Sequence, residues 1–351
     1  MYVQKLYLRS FRNYDEACIE LIPGTNLFYG ENAQGKTNLL EALNFCIAGR
    51  SFRTPKTSEL ISYEAKSFDL EVHFVKHEIE QVIRITYGGK KRLICHNSTE
   101  YTSFIQLVGL IQGVVLTPDD MELINASAQL RRQFLDLQIA QVDPLYVHHL
   151  TRYLRALKQR NILLRNKALL GIESWEHELS ASAAYVCLQR RRALGVLKNL
   201  TETLYYKLGG GSEKLLLEYR GLIIKEESLE SIQKAYIHAY NRYRNQEVYM
   251  GYSLVGPHRD DFTMKMDGVG VKDFASEGQK RTLVAALRFA EWAHLYQESG
   301  EMPIMSVDDI GLSLDTRRKQ KLYEHLITLG QVFVTSPEEL SKEYFPTSIK
   351  V

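Results

Sequence analysis

Apolar and polar positions alternate through the first quarter of the chain in the two-residue rhythm of half-buried strands. Leu6-Tyr7-Leu8 and Cys18-Ile19-Glu20-Leu21 bracket a polar turn, and Thr25-Asn26-Leu27-Phe28-Tyr29 runs straight into a glycine. Asp69-Leu70-Glu71-Val72-His73-Phe74 and Gln81-Val82-Ile83-Arg84-Ile85-Thr86-Tyr87 keep the alternation. Gly88-Gly89 then predicts a hairpin turn into a basic strand at Lys90-Lys91-Arg92. Beyond this the period changes. From about 130 to 204 the pattern is helical, with Leu150, Leu154 and Leu157 roughly one turn apart, until Gly209-Gly210-Gly211-Ser212 breaks it. A short strand over 215–219 and a helix over 229–244 follow, and after Tyr252 the order returns to strand, loop, helix, strand, helix, strand. No internal repeat and no heptad array of coiled-coil length interrupts this plan. The simplest organisation is one α/β domain made from both ends of the chain, 1–122 and 245–351, with a helical insertion at 123–244.

Composition narrows the setting. A chain of 351 residues is long enough for two compact units. With a formal charge of +2 and a pI near 8.2, any contact with nucleic acid has to come from a local basic surface. Cys18, Cys46, Cys95 and Cys187 are scattered, without a C-x-x-C pair or a histidine at metal-ligand spacing. That pattern argues against a zinc site or a disulfide framework and fits a reducing compartment. Met1-Tyr2-Val3-Gln4-Lys5 lacks the pattern of a signal peptide, and no apolar run approaches the roughly 20 residues needed to span a bilayer. The expectation is a soluble, cytoplasmic protein with no membrane partner.

The first chemistry-bearing segment is Gly30-Glu31-Asn32-Ala33-Gln34-Gly35-Lys36-Thr37, which fits G-x-x-x-x-G-K-[ST] without a mismatch. An apolar strand feeds it, and Leu40, Leu43 and Ile47 give the following helix a buried face, with Gly49 as its stop. Glycines let backbone N–H groups turn toward phosphate oxygens, and the helix N-terminus adds partial positive charge. A chance glycine loop rarely has both flanks correct, so ATP or GTP is expected across 30–38, Gly30 to Asn38. Lys36 reaches the β- and γ-phosphates, and the Thr37 hydroxyl is placed to ligate Mg²⁺.

Pro303-Ile304-Met305-Ser306-Val307-Asp308-Asp309 reads as a buried strand ending in two carboxylates. In a P-loop fold this is where an acid holds Mg²⁺, directly or through water, which assigns Asp308. The bland alternative for the pair is a helix N-cap. Ala275-Ser276-Glu277-Gly278-Gln279-Lys280-Arg281 then opens a helix with Leu283, Leu287 and Ala290 on one face. Lying between the P-loop and the paired aspartates, it resembles the S-x-G-Q signature of the ABC ATPases. That resemblance implies that Ser276, Gly278 and Gln279 touch the γ-phosphate bound to a second copy, so that ATP joins two chains. It also puts Asp309 where these ATPases usually carry a glutamate that orients the attacking water, and the shorter side chain implies slow hydrolysis. Lys36 and Asp309 are the catalytic assignments. Asp315 begins a helix over 316–329, closed by Gly330. The strand after it, Gln331-Val332-Phe333-Val334, ends at Thr335-Ser336, either a γ-phosphate sensor or an ordinary strand end.

A narrower resemblance runs along nearly the whole chain. Its stretches are Phe11-Arg12-Asn13-Tyr14, the P-loop continued through Asn38-Leu39-Leu40-Glu41-Ala42, Arg53-Thr54, Pro118-Asp119-Asp120, and Arg131-Arg132-Gln133-Phe134-Leu135-Asp136. Lys158-Gln159-Arg160-Asn161, Gly256-Pro257-His258-Arg259-Asp260-Asp261 and Phe274-Ala275-Ser276-Glu277-Gly278-Gln279 complete the set. Together they resemble the RecF family. The implied fold is an ABC/SMC-type P-loop ATPase head with an antiparallel β subdomain and an inserted helical arm domain. The resemblance also implies ATP and Mg²⁺ as cofactors, an ATP-dependent homodimer, and binding of single- and double-stranded DNA at gaps. It further implies work with the RecO and RecR mediator proteins to load recombinase, with a weak DNA-stimulated ATPase as the release step. Two departures stand out: Phe52 replaces a histidine of the family pattern, and Leu312-Ser313-Leu314-Asp315 replaces a small residue followed by Glu-Leu-Asp.

Candidate DNA contacts are Lys91, Arg92, Lys158, Arg160 and Arg191, drawn from three basic clusters that are otherwise solvated faces. Such contacts go to phosphates and carry little sequence preference. Tyr236, Tyr240 and Tyr243 recur at helical spacing, as a buried face or, less simply, as a base-stacking surface. His258 and Arg259 either approach the nucleotide or dimer interface or make a structural corner. The competing function is an ABC-type ATPase subunit coupled to another partner, such as a transporter. The long helical arm argues against it, and with about forty residues after Asp309 no fused nuclease is expected.

Overall fold

The computed structural model describes residues 1–89, 91–224, 226–309 and 315–351. Strands β1 (Tyr2–Phe11), β2 (Tyr14–Glu20) and β3 (Thr25–Tyr29) lead into helix α1 (Lys36–Ala48). Then come β4 (Ser67–Lys76), β5 (Ile79–Gly88), β6 (Lys91–His96), β7 (Thr99–Tyr101) and β8 (Gly113–Leu116). Helices α2 (Glu122–Asn125), α3 (Ala128–Ala140), α4 (Pro144–Asn166) and α5 (Ile172–Lys207) follow, then β9 (Leu215–Arg220), α6 (Leu229–Met250), β10 (Asp261–Met266), β11 (Val269–Gly270) and α7 (Val271–Phe274). The chain closes with α8 (Glu277–Ser299), β12 (Ile304–Val307), α9 (Thr316–Leu326), β13 (Val332–Ser336) and β14 (Thr347–Lys350). The hairpin expected at Gly88-Gly89 forms, with Gly89 at φ 54°. Lys90 and the Leu312-Ser313-Leu314 departure lie outside the described residues.

Two compact units divide the chain. The first comprises Met1–Met121, Leu200–Ser212 and Ser276–Val351; the second comprises Glu122–Asn199 and Glu213–Ala275. The boundary expected at 244/245 therefore moves, for two physical reasons. Strand β10 pairs antiparallel with β9, and Phe262 packs against Phe134, which keeps 245–275 with the helices. The end of α5 returns to the first unit, where Gly209 lies against the side chains of Arg318 and Lys321.

The first unit holds two sheets with α1 between them. One is antiparallel, in the order β2-β1-β4-β5-β6-β7. The other has the order β14-β3-β13-β12-β8, and every neighbouring pair in it is parallel. Leu39, Leu40, Leu43, Phe45 and Ile47 of α1 share one core with Leu8, Phe68, Leu70 and Val72 of the antiparallel sheet and Phe28, Ile304 and Phe333 of the parallel one. A helix covered on both faces reads as a nearly unbroken apolar run, and each buried leucine contributes about 1.5–3 kcal/mol. This burial fixes where α1 begins, and so where the phosphate loop sits.

The second unit packs α4, α5 and α6 around Tyr153, Leu157, Leu179, Cys187, Tyr236 and Tyr240, beside the sheet β11-β10-β9. Tyr236 and Tyr240 are fully buried, so the buried-face reading holds for these two. The leucine face expected on α4 is rotated: Leu157 is buried, while Leu154 is 51% exposed. Tyr146, Tyr153, Ala156 and Leu164 supply the buried face instead.

Candidate functional site

Strand order creates the site. Because β13 lies between β3 and β12, its last residues reach the space between the loop after β3 and the carboxylates after β12. Three hydroxyl and carboxylate groups far apart in sequence meet there. Thr37 Oγ1 donates to Asp308 Oδ1 at 2.9 Å, and Thr335 Oγ1 donates to the same oxygen at 2.7 Å. The backbone N–H of Asp309 in turn donates to Thr335 Oγ1 at 2.7 Å. Asp309 sits in the left-handed region at φ 57°, a conformation that costs a non-glycine residue energy. Burial raises the pKa of the Asp308 carboxyl despite the two hydroxyls, and burial together with the charge of Asp308 raises that of Asp309. Two hard oxygen donors, Thr37 and Asp308, thus share one corner, the chemistry that suits a small divalent cation.

The loop from Gly30 to Gly35 wraps the Lys36 ammonium, which donates to the carbonyls of Gly30 and Glu31, both at 2.7 Å. Lys36 is buried, whereas Glu31, Asn32, Ala33 and Gln34 are exposed. Gly35, at φ 113°, could not be replaced without strain. An added Cβ there would fall 2.7 Å from the Asn13 side chain and 2.9 Å from the Tyr14 hydroxyl.

Those neighbours form a supporting layer to which sequence reasoning gave no role. Asn13 Nδ2 donates to Gln34 O at 2.9 Å, and Asn38 Nδ2 donates to Asn13 Oδ1 at 2.7 Å. Arg53 donates to Asn38 Oδ1 at 2.8 Å, so the Asn38 side chain is spent bracing the loop. Glu41, fully buried on α1, accepts two hydrogen bonds from Arg12, at 2.6 and 2.8 Å, and one from Ser51 at 2.5 Å. The turn between β1 and β2 is thereby clamped to the first turns of α1. Arg12, Asn13, Glu41 and Arg53 all lie within stretches that carry the family resemblance, which was the available signal.

Ser276 caps α8. Its hydroxyl accepts from Gln279 N at 3.3 Å, and Gln279 Oε1 accepts from Ser276 N at 2.8 Å, a reciprocal capping box. Ser276 is exposed, so the turn faces solvent on the first unit. Gly278 lies under the Arg318 guanidinium: a Cβ would come within 2.5 Å of Arg318 Nη1. Asp315 caps α9 by accepting from Arg318 N at 3.0 Å, and α9 ends at Leu326, three residues before the expected stop.

Several basic residues proposed for DNA are committed to the interior of the second unit. Arg160 is fully buried; it donates to Glu176 at 2.8 Å, Glu247 at 2.6 Å and Ser253 at 2.8 Å, and lies over the Tyr240 ring. Arg191 donates to Leu222 O at 2.9 Å and lies over the Tyr219 ring. In the first unit Arg92 donates to Gly49 O and to Thr57, both at 3.0 Å. The Arg160 guanidinium is wholly taken up by internal partners, so Arg160 is removed as a DNA contact; Arg191 and Arg92 are half-buried and spend donors on internal partners, while Lys91 and Lys158 are exposed. The motif at 256–261 is a corner: Arg131 pairs with Asp261 at 2.7 and 2.9 Å, and Arg132 donates to Asp260 O at 2.8 Å. Arg190 bridges Asp136 to Pro257 O, and His258 Nδ1 meets the Tyr153 hydroxyl at 2.5 Å.

A phosphate loop, a strand-end aspartate pair and a serine-capped helix, arranged on a parallel sheet beside an antiparallel one, define a P-loop ATPase head of the ABC/SMC class. The RecF/RecN/SMC N terminal domain matches residues 2–344. The DNA replication and repair protein RecF of Protochlamydia amoebophila (strain UWE25) is 47% identical over 352 residues, covering 100% of this chain and 98% of the relative. The same-named protein of Chlamydia abortus (strain DSM 27085 / S26/3) is 37% identical, covering 96% and 92%. Among solved structures, the recombination mediator protein RecF-ATPrS in the RecFOR pathway superposes with a TM-score of 0.90 at 29% identity, covering 100% of this chain and 96% of the other. The SMC head bound to the C-winged helix domain of ScpA shares the fold at a TM-score of 0.57 and 16% identity, covering 100% and 94%. The chain belongs to the RecF family.

Proposed function

We propose that this chain is a RecF-type ATPase of recombinational DNA repair, in which ATP closes two copies upon DNA and slow hydrolysis releases them. The observation that carries the reading is the convergence of the Thr37 and Thr335 hydroxyls on one carboxylate oxygen of Asp308 beside the phosphate loop. The likeness to RecF-ATP in the RecFOR pathway, at a TM-score of 0.90 and 30% identity over 96% of this chain and 92% of the other, supports it.

In this reading residues 30–37 hold ATP, and Asn38, expected with them, braces the loop through Asn13 and Arg53. Lys36 exchanges its two carbonyl partners for the β- and γ-phosphates, and the N-terminus of α1 faces the same charge. Thr37 and Asp308 hold Mg²⁺, which when bound neutralises developing phosphate charge. Asp309, fixed through its N–H on Thr335, orients the attacking water; its carboxylate is one methylene shorter than a glutamate, which makes turnover slow. Ser276, Gly278 and Gln279 meet the γ-phosphate of the second copy through the exposed turn that opens α8, with Gln279 shaping the turn. DNA stimulates turnover, and the RecO and RecR mediators act with the closed dimer to load recombinase at gaps.

The test compares wild type, Lys36→Arg and Ser276→Arg for ATP-dependent dimer formation by light scattering and for phosphate release with and without gapped DNA. Lys36→Arg is expected to bind ATP but hydrolyse it poorly, and Ser276→Arg to stay monomeric. Normal dimer closure by Ser276→Arg would remove the two-chain site.

A further inference from the structure

Helix α4 carries five cations, Arg152, Arg155, Lys158, Arg160 and Arg165, and no acidic residue in its 23 positions. Two of the five are neutralised from other elements. Arg160 is buried among Glu176 and Glu247, and Arg152 holds Glu178 through two hydrogen bonds, at 2.5 and 2.6 Å. Arg155, Lys158 and Arg165 are exposed, and among the described residues none of the three has an ion-pair or hydrogen-bond partner. Lys167, the exposed left-handed residue that caps the helix, adds a fourth charge at the same end.

Helical geometry gathers these charges. At about 100° per residue, positions 155, 158 and 165 fall within an arc of roughly 80°, and at about 1.5 Å per residue they span about 15 Å of the axis. Arg155 and Lys158, three positions apart on the helix surface, repel one another, a cost that nearby acids would relieve. Acids do so at Arg152 and Arg160 on the same helix, but not on this face. The whole chain carries a formal charge of only +2, so the face is a local feature and not a sample of a uniformly basic surface.

We infer that this face of α4 is a seat for the phosphate backbone of DNA. Duplex DNA presents one phosphate per roughly 3.4 Å of axis on each strand, so about 15 Å of helix confronts about four phosphates of one strand. Exposed, unpaired arginine and lysine side chains match that array. The exposed apolar side chains beside them, Leu154 and Ile162, are two isolated residues and make no groove for a peptide. The inference rests on the DNA-binding reading above and adds the surface that carries it: Lys158 is kept from the sequence candidates, Arg160 is discarded, and Arg155 and Arg165 are new.

The experiment measures binding of labelled duplex and single-stranded DNA to the full chain with ATP, by anisotropy across a sodium chloride series. It compares wild type, Arg155→Gln/Lys158→Gln/Arg165→Gln, and a charge-matched control, Lys66→Gln/Lys214→Gln/Lys342→Gln, whose lysines are also exposed. The α4 triple variant is expected to lose about 2–3 from the slope of log affinity against log salt on duplex, less on single strands, and at least about tenfold in affinity near 0.1 M salt. The control is expected to keep the wild-type slope. A loss on either form of DNA supports the assignment and identifies the strand form read. An unchanged slope in the α4 triple variant, or an equal loss in the control, overturns it while leaving the repair reading intact. A wild type that binds no DNA overturns both. If the triple variant does not fold, Lys158→Gln alone is expected to lose about 0.9 from the duplex slope, and an unchanged slope there overturns the inference.

Discussion

Thr335 donates its hydroxyl to the Asp308 oxygen that Thr37 also reaches, and accepts the N–H of Asp309 with the same atom. One hydroxyl therefore sets both aspartates at once. Thr335→Val keeps the shape and removes the polar atom, leaving the Asp309 N–H without its partner. The expected result is a loss of about 1–3 kcal/mol in stability and about a hundredfold in phosphate release, with Thr335→Ser restoring most of both. Turnover and melting temperature measured together check this; a valine variant with wild-type turnover would show that Thr335 is an ordinary strand end.

Glu41 concentrates the support of the phosphate loop on a single buried carboxylate. Arg12 is only 20% exposed at its side chain, so removing the charge at Glu41 leaves a half-buried guanidinium unpaired. Glu41→Gln is expected to cost about 3 kcal/mol in urea unfolding. Adding Arg12→Met to that variant should recover part of the loss, because the residual penalty belongs to the stranded charge. Simple additivity of the two substitutions would contradict the clamp.

Arg160 serves the interior of the second unit and lies apart from the proposed DNA face of α4. Arg160→Met leaves Glu176 and Glu247 facing each other in the interior, and about 3–5 kcal/mol of destabilisation is expected. The salt slope of DNA binding should stay at the wild-type value under conditions where the variant is folded. Denaturant titration and anisotropy on one preparation test both halves, and a changed slope would return Arg160 to the DNA surface.

His258 makes acid stability depend on the corner at 256–261. Burial, aided by the nearby charges of Arg259 and Arg132, lowers its pKa to about 4, against roughly 6.5 when unfolded. A depressed pKa contributes stability that is complete above about 6.5 and is lost as the pH falls toward 4, corresponding to about 3 kcal/mol over that window. Asp260 acts in the opposite sense: burial pushes its carboxyl up to about 6, so its protonation favours the fold between about pH 6 and 4. Wild type should show a shallow dependence because the two oppose. His258→Asn should become more stable as the pH falls from 6 to 4, and Asp260→Asn less stable. Urea midpoints across that range decide it; parallel profiles for all three proteins would dismiss the pair.

The local chemistry was legible in the residue order. Eight consecutive residues from Gly30 to Thr37, the two aspartates after Val307 and the serine opening α8 are short-range patterns, in which neighbours in sequence are neighbours in space. Alternation likewise foretold β4, β5 and the turn between β5 and β6, because a strand with one buried face has to alternate. What depends on partners distant in the chain emerged only from how the elements pack. Thr335 acquired its role only because β13 is inserted between β3 and β12, a choice of strand order that no local pattern encodes. Lys158 and Arg160 are both basic and two positions apart, yet a helix turns about 200° between them, leaving one in solvent and the other among buried carboxylates. The unit boundary moved for the same reason: Asp260 and Asp261 belong with Arg131 and Arg132 through ion pairing and hydrogen bonding across some 130 residues.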